Sequence, residues 1–288
     1  MATYGVFLMA LFAIAVGLSF LETSCNTYSS MIGPKESSTL RLNISQTFTP
    51  VGFLSGILLS KYLIFTEGEA LHRQMETLDG AGKQQLAAEM LQRTLQPYQF
   101  IIMVLVVLLV IVAITQFPRC KPLDKEEHET KATIGETLRY LACNSRFRFG
   151  IMAQFFYVGM QTAVWSFTIR LALQMDAGLN ERAAANYVIY AFVGFFLGKC
   201  LANILMKRFN ENKVLIAYSV LGSLALMYVI GVHDMSAIWA AIFVSTMFGP
   251  CWATIYARSL DAITDKRHTE TGGAVIVMSI IGGAVVPV

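Results

Sequence analysis

The sequence predicts an all-α fold that crosses a membrane several times, and three observations carry that prediction. The 288 residues are 55% hydrophobic and only 14% charged, too apolar for a soluble domain of this size. Apolar stretches of about 20 residues recur along the chain, each long enough for a membrane helix. The basic residues are divided unevenly between the connections: fifteen of the 22 Lys and Arg lie on one side of the spans and four on the other.

The spans follow in order. The first, 3–31, is uncharged except for Glu22. The second, 39–65, carries Asn43, Gln46 and Pro50 at i, i+3 and i+7, so they share a face. Pro50 should kink it, and Gly52 with Gly56 suits close helix packing. The connection 66–97 has helical composition and predicts a short surface helix or helical hairpin. The third span is 98–117. The connection 118–147 is the longest charged linker and the natural boundary between two bundles. Its second half places Ile134, Leu138 and Leu141 at helical spacing behind Thr133, which predicts an amphipathic surface helix capped by that threonine. Spans at 148–175, 181–207, 213–232, 236–258 (kinked at Pro250) and 271–288 complete a set of eight.

By the positive-inside rule the side holding Lys35, Arg41, 119–148, 207–213 and 258–267 is cytoplasmic. Residue 1 then starts outside and the last span runs outward. That topology predicts an odd number of helices upstream and further chain beyond Val288.

The polar residues inside the spans carry the chemistry. An ionised acid at the bilayer centre costs roughly 2.5–3.5 kcal/mol, so it faces a bundle interior or a water-filled cavity. Asn26 stands one turn after Glu22 on the same face. Two readings stay open for Glu22: a proton or substrate site, or a buried acid that fixes helix packing. Gln46 and Asn43 divide in the same way between ligand contact and helix–helix glue. Gln154, Tyr157, Gln161 and Trp165 form a third face, with amides suited to hydroxyl groups and an indole suited to the apolar face of a sugar ring. Trp252 and Tyr256 make an aromatic pair at i and i+4. Lys199 can snorkel to the interface and is read as structural, and Arg170 as an anchor. Five scattered cysteines read as apolar fillers, and the four histidines fall in connections, so no metal site suggests itself. An enzyme would need a nucleophile with its base or a metal cluster in the spans, and a channel a continuous polar lining. Neither pattern stands in the sequence.

The run FLETSCNTYSSMIGPKESSTLRLNISQTFTPVGFLSGILLSKYLIF (20–65) resembles the fourth and fifth helices of the bacterial L-fucose/proton symporters, within the major facilitator superfamily. FRFGIMAQFFYVGMQTAVWSFTIRLALQM (147–175) resembles their seventh helix, FGPCWATIYARSLDAITD (248–265) their tenth and TGGAVIVMSIIGGAVVPV (271–288) the start of their eleventh. The resemblance covers essentially the whole chain and implies helices four to eleven of twelve. Residues 1–117 are then the last three helices of the N-terminal bundle, 118–147 a cytoplasmic linker and 148–288 the first five helices of the C-terminal bundle. It implies proton-coupled sugar symport by alternating access, most specifically L-fucose, with another hexose as the alternative. Glu22 matches the family's proton-coupling glutamate; Gln46, Gln161 and Trp165 match cavity positions. Asn26, Asn43, Tyr157, Trp252 and Tyr256 complete the candidate substrate set. No cofactor is expected beyond the coupling proton, and the expected partners are the sugar and the lipid bilayer, with no nucleic acid. A monomer in the bacterial inner membrane is expected. The family's essential first-helix aspartate has no counterpart in these residues, so residues 1–288 by themselves are expected to be an incomplete, inactive part. GKCLANILMKRFNENK (198–213) resembles a degenerate copy of the superfamily's basic loop, with Asn203 at the usual aspartate position.

Overall fold

A computed structural model describes residues 4–63, 79–118, 132–175, 178–179 and 181–287. Its contacts divide the chain into two units, one formed by Met1–Pro50 with Arg119–Val288 and the other by Val51–Pro118. The described residues form helices α1 (Tyr4–Met31), α2 (Ser38–Gln46), α3 (Thr49–Leu63), α4 (Gly80–Ile114), α5 (Ile134–Cys143), α6 (Ser145–Met175), α7 (Glu181–Met206), α8 (Glu211–Gly231), α9 (Met235–Met247), α10 (Cys251–Asp261), α11 (Thr269–Met278) and α12 (Gly282–Val285). Among the described residues five stretches are long and apolar enough to cross a membrane: Gly5–Met31, Ser38–Leu59, Ala183–Met206, Glu211–Gly231 and Met235–Asp261. Tyr98–Ile114 and Thr269–Val285 are shorter apolar helices. The 31 residues of α6 are ample in length, and Gln154 and Gln161 dilute its apolar character.

In the smaller unit, α4 corrects the second part of the sequence reading of 66–97, whose residues 66–78 lie outside the described residues. Residues 80–97 do not make a separate surface helix; they are continuous with 98–114 in one 35-residue helix that runs through Pro97. Among the described residues no atom lies within 4 Å of where a Cβ would stand at Gly52 or Gly56, the positions expected to suit close helix packing. From Phe100 to Ile114 the side chains are exposed. An apolar face of that length fits lipid.

In the larger unit, prolines set where helices break. A proline lacks the backbone donor and its ring crowds the carbonyl four residues back. Pro50 therefore divides the predicted span 39–65 into α2 and α3 at Thr47–Phe48, and Pro250 divides 236–258 into α9 and α10. The chain turns from α1 into α2 on one cation. Arg41 donates to the carbonyls of Ser29 (3.3 Å), Ser30 (2.8 Å) and Pro34 (2.8 Å), which satisfies acceptors that a helix C-terminus leaves open.

Glycines allow the closest approaches. A Cβ at Gly198 on α7 would stand 1.9 Å from the Thr246 carbonyl oxygen on α9, and one at Gly249 would stand 2.6 Å from the Gly198 carbonyl carbon. On α6, a Cβ at Gly150 would meet the Ser259 side chain of α10 at 2.1 Å. Around these contacts lies a core of Leu42, Leu141, Phe147, Ala253, Tyr256, Ala257, Leu260 and Ile276 from α2, α5, α6, α10 and α11.

The amphipathic helix predicted after Thr133 is α5, and it starts with a complete capping box. The Thr133 hydroxyl accepts from the Glu136 N–H at 3.4 Å, and the Glu136 carboxylate accepts from the Thr133 N–H at 2.9 Å. That second bond holds the Glu136 carboxyl below its ordinary range. The inward face is not the predicted one alone: Leu141 and Thr137 are buried, whereas Ile134 and Leu138 are exposed. Thr137 bonds the buried His268 ring at 2.8 Å, and Tyr140 stacks on that ring at 4.4 Å. Tyr140 also bonds the Thr264 hydroxyl at 2.9 Å, and Asn144 donates to the Ala262 carbonyl at 2.7 Å. These contacts clasp α5 to the connection between α10 and α11.

Candidate functional site

Glu22 lies on α1 at the point where that helix changes from exposed to half-buried. Its carboxylate makes no hydrogen bond or ion pair among the described residues, so neither a cation nor an amide there explains its place in the span. Asn26, one turn on, does not serve it. The Asn26 side-chain Oδ1 accepts instead from the Gln46 amide of α2 at 2.6 Å, and the Gln46 Oε1 accepts from the Thr49 hydroxyl at 2.7 Å. The Asn26 Nδ2 group is buried without a partner among the described residues. This amide pair joins the first two predicted faces and leaves one donor unused.

Asn43, on the same face of α2, is committed elsewhere. Its Nδ2 donates to the Thr39 carbonyl at 2.9 Å and to the Thr254 hydroxyl of α10 at 3.2 Å. A further bridge joins α1 to α10, where the Thr27 and Tyr256 hydroxyls lie 3.1 Å apart. The Tyr256 hydroxyl is within electrostatic reach of Glu22. Its ring stacks on Trp252, with centroids 5.3 Å apart and planes 12° from parallel, as the i, i+4 spacing predicts.

On α6 the predicted face is buried at Gln154, Tyr157 and Gln161. The Tyr157 hydroxyl donates to the Phe248 carbonyl at 3.0 Å, beside the break that Pro250 imposes. That tyrosine therefore holds the break in place. Gln161 is 8% exposed and makes no hydrogen bond to a described residue, so its amide is available. Trp165 packs against Phe192 at 4.6 Å, Phe195 at 5.2 Å and Phe248 at 6.3 Å; it is half-buried, with part of the indole accessible.

Lys199 departs from the sequence reading. It does not snorkel to an interface but is 3% exposed, with its ammonium 4.9 Å from the centre of the Phe195 ring. Asn203, one turn further, donates to the hydroxyl of Thr47, the residue after α2, at 2.8 Å. The neutral amide thus makes a neutral contact where a superfamily aspartate would bring charge. Among the described residues no group of three or more His, Cys, Asp or Glu could hold a metal ion.

The larger unit therefore brings the α1, α2 and α10 candidates into one hydrogen-bonded and stacked set, with the α6 residues on a helix packed against α10. The sequence profile of the Major Facilitator Superfamily matches residues 1–287. The chain belongs to the major facilitator superfamily.

Within that superfamily the chain is 30% identical over 286 residues to the L-fucose-proton symporter of Escherichia coli K12, covering 98% of this chain and 64% of that protein. It is 25% identical over 285 residues to a glucose/galactose transporter of Brucella abortus, covering 99% of this chain and 64% of the relative. The crystal structure of the E. coli fucose:proton symporter superposes with a TM-score of 0.86 at 30% identity, over 99% of this chain and 69% of that one. The chain thus spans 64% of the length of these curated relatives.

Proposed function

We propose that the protein acts in proton-coupled sugar symport, with L-fucose as the preferred substrate and the proton as the coupling ion. One observation carries the reading. An acid inside a membrane helix, Glu22, has no charged or hydrogen-bonding partner among the described residues, and it sits beside an amide pair and a stacked aromatic pair. In lipid an isolated acid is costly and its usual use is a proton or substrate path. Amides at Asn26, Gln46 and Gln161 suit sugar hydroxyls, and the ring faces of Trp165, Trp252 and Tyr256 suit the C–H face of a pyranose. Asn43 and Tyr157 serve as the frame that holds α2, α6 and the Pro250 break around them. The names of the E. coli and Brucella relatives support a sugar as substrate.

In this reading, residues 1–117 complete the N-terminal bundle, 118–147 is a cytoplasmic linker and 148–288 opens the C-terminal bundle of a monomer in the bacterial inner membrane. Proton binding neutralises Glu22, sugar fills the space between the bundles, and rocking of the bundles exposes it alternately to each side. Exchange of labelled L-fucose across proteoliposomes containing the full-length protein tests the substrate. L-Fucose is expected to displace label better than D-galactose or D-glucose. Stronger displacement by D-galactose or D-glucose reassigns the substrate to another hexose, and no saturable exchange of any sugar refutes the reading.

A further inference from the structure

The most anomalous side chain in the larger unit is Gln154. It is 0% exposed, yet neither its amide nitrogen nor its side-chain oxygen has a hydrogen-bond partner among the described residues. Buried polar groups are almost always paired, and a side-chain amide offers two donors and a two-fold acceptor. A buried residue that leaves both ends unpaired calls for an unseen partner.

Its position says which partner fits. Phe147, Ile151 and Gln154 stand at i, i+4 and i+7, one stripe along α6. The first two pack into the core built on Ala253, Tyr256, Ala257 and Leu260 of α10, where Trp252 also packs. The two helices meet at Gly150, which lies against Ser259, and again where Tyr157 bonds the Phe248 carbonyl. Gln154 falls between those two contacts, so it stands level with the turn of α10 that carries the Trp252–Tyr256 stack. The adjoining side of α6, at Phe155, Val158, Gly159 and Thr162, is closed by α12 and the residue after it.

We infer that Gln154 is a further substrate-binding residue, whose amide bonds hydroxyl groups of the sugar lying against the Trp252–Tyr256 stack. This rests on the proposed function and adds a specificity-determining contact to it. In the absence of sugar the amide is a stored cost: it destabilises the fold until a ligand supplies an acceptor and a donor. Replacing one such group by an apolar side chain of similar shape is then neutral or stabilising, whereas removing one partner of an existing pair is destabilising. A structural amide and a ligand-binding amide therefore predict opposite signs.

The test is Gln154→Leu in the full-length protein. It pairs a melting temperature measured in detergent without sugar with L-fucose and D-galactose affinities from calorimetry. The expected result is a melting temperature equal to or above wild type together with affinity weakened about tenfold or more for the preferred sugar, the loss of one or two hydrogen bonds. A lower melting temperature with unchanged affinity means that the amide holds the fold, and it overturns the inference. If Leu lowers both, Gln154→Met decides, because an unbranched side chain refills the site with less strain: weakened affinity at the wild-type melting temperature supports the inference, and any other result overturns it. Failure of the wild-type protein to bind either sugar sinks the transport reading itself, which distinguishes that outcome from wild-type binding that Gln154→Leu leaves intact.

Discussion

Glu22→Gln separates the two readings of the membrane acid. The substitution keeps size and hydrogen-bonding shape while removing the charge and the exchangeable proton. Because Glu22 has no ion pair or hydrogen bond among the described residues, no partner is stranded by the change. Burying an acid at mid-bilayer costs roughly 2.5–3.5 kcal/mol, so for a half-buried one the variant should be as stable as wild type or slightly more so. One titratable group implies one proton per sugar. A single charge falling through the membrane potential releases about 2.3 kcal/mol per 100 mV, and at about 1.4 kcal/mol per factor of ten that supports roughly 50-fold accumulation. In Glu22→Gln the accumulation ratio should collapse to one. Exchange of sugar for sugar, which moves no net proton, should continue, because glutamine mimics the protonated acid. The assay is uptake of labelled L-fucose into proteoliposomes of the full-length protein under a valinomycin-imposed potential, with exchange measured in parallel. Accumulation by Glu22→Gln at the wild-type level refutes the assignment of the coupling proton to this residue.

Three further outcomes follow from the packing and the connections. Gly198→Ala places a methyl group 1.9 Å from the Thr246 carbonyl oxygen, so α7 and α9 must part; overpacking usually costs about 1–3 kcal/mol, and the top of that range is expected. An unchanged detergent melting temperature would contradict the close approach. Trp165→Phe should keep the cluster with Phe192, Phe195 and Phe248 and therefore the fold, yet weaken L-fucose binding measured by calorimetry. Equal affinity removes Trp165 from the sugar site. Asp265 is held at about 2, against an ordinary 3.8, first by its hydrogen bond from the Arg267 side chain. A depressed carboxyl stabilises the fold above its unfolded value, and that contribution is lost as the pH falls from about 3.8 through about 2. Amide exchange across 262–270 should therefore accelerate in that acid window in wild type and show no such step in Asp265→Asn; identical profiles refute it.

The positions of the spans were legible because apolar length and basic asymmetry are local properties of the chain. The breaks at Pro50 and Pro250 were legible as kinks, since a missing donor and a ring clash act within four residues. The continuity of α4 was not, because Pro97 and the polar run before it mimic a boundary, whereas a helix tolerates a proline when its other bonds persist. The amide partners were also out of reach. Asn26 shares a face with Glu22, but its bond goes to Gln46, and only the meeting of α1 with α2 decides that. Lys199 was misplaced for a related reason. Its stem length permits snorkelling, but Gly198 draws α7 so close to α9 that the side chain stays inside. Gln154 could be seen on the face of Tyr157 and Gln161; that both of its polar ends lack partners is a fact of tertiary packing alone.

The clasp between α5 and the α10–α11 connection has a mechanical consequence. Tyr140 on His268, Thr137 on the same ring and Asn144 on the Ala262 backbone tie the two pieces at three points, two on the ten-residue helix and one at the residue that ends it. A helix held at several points along its length cannot swivel independently, so α5 is a rigid handle on the end of α10. A displacement of α5 is delivered to the helix that carries Trp252 and Tyr256 rather than dissipated in the connection. Cys143, a free and exposed thiol at the end of this handle, places a native attachment point for a spectroscopic reporter there, and a label on it will read out the movement of α10 without any cysteine having to be introduced.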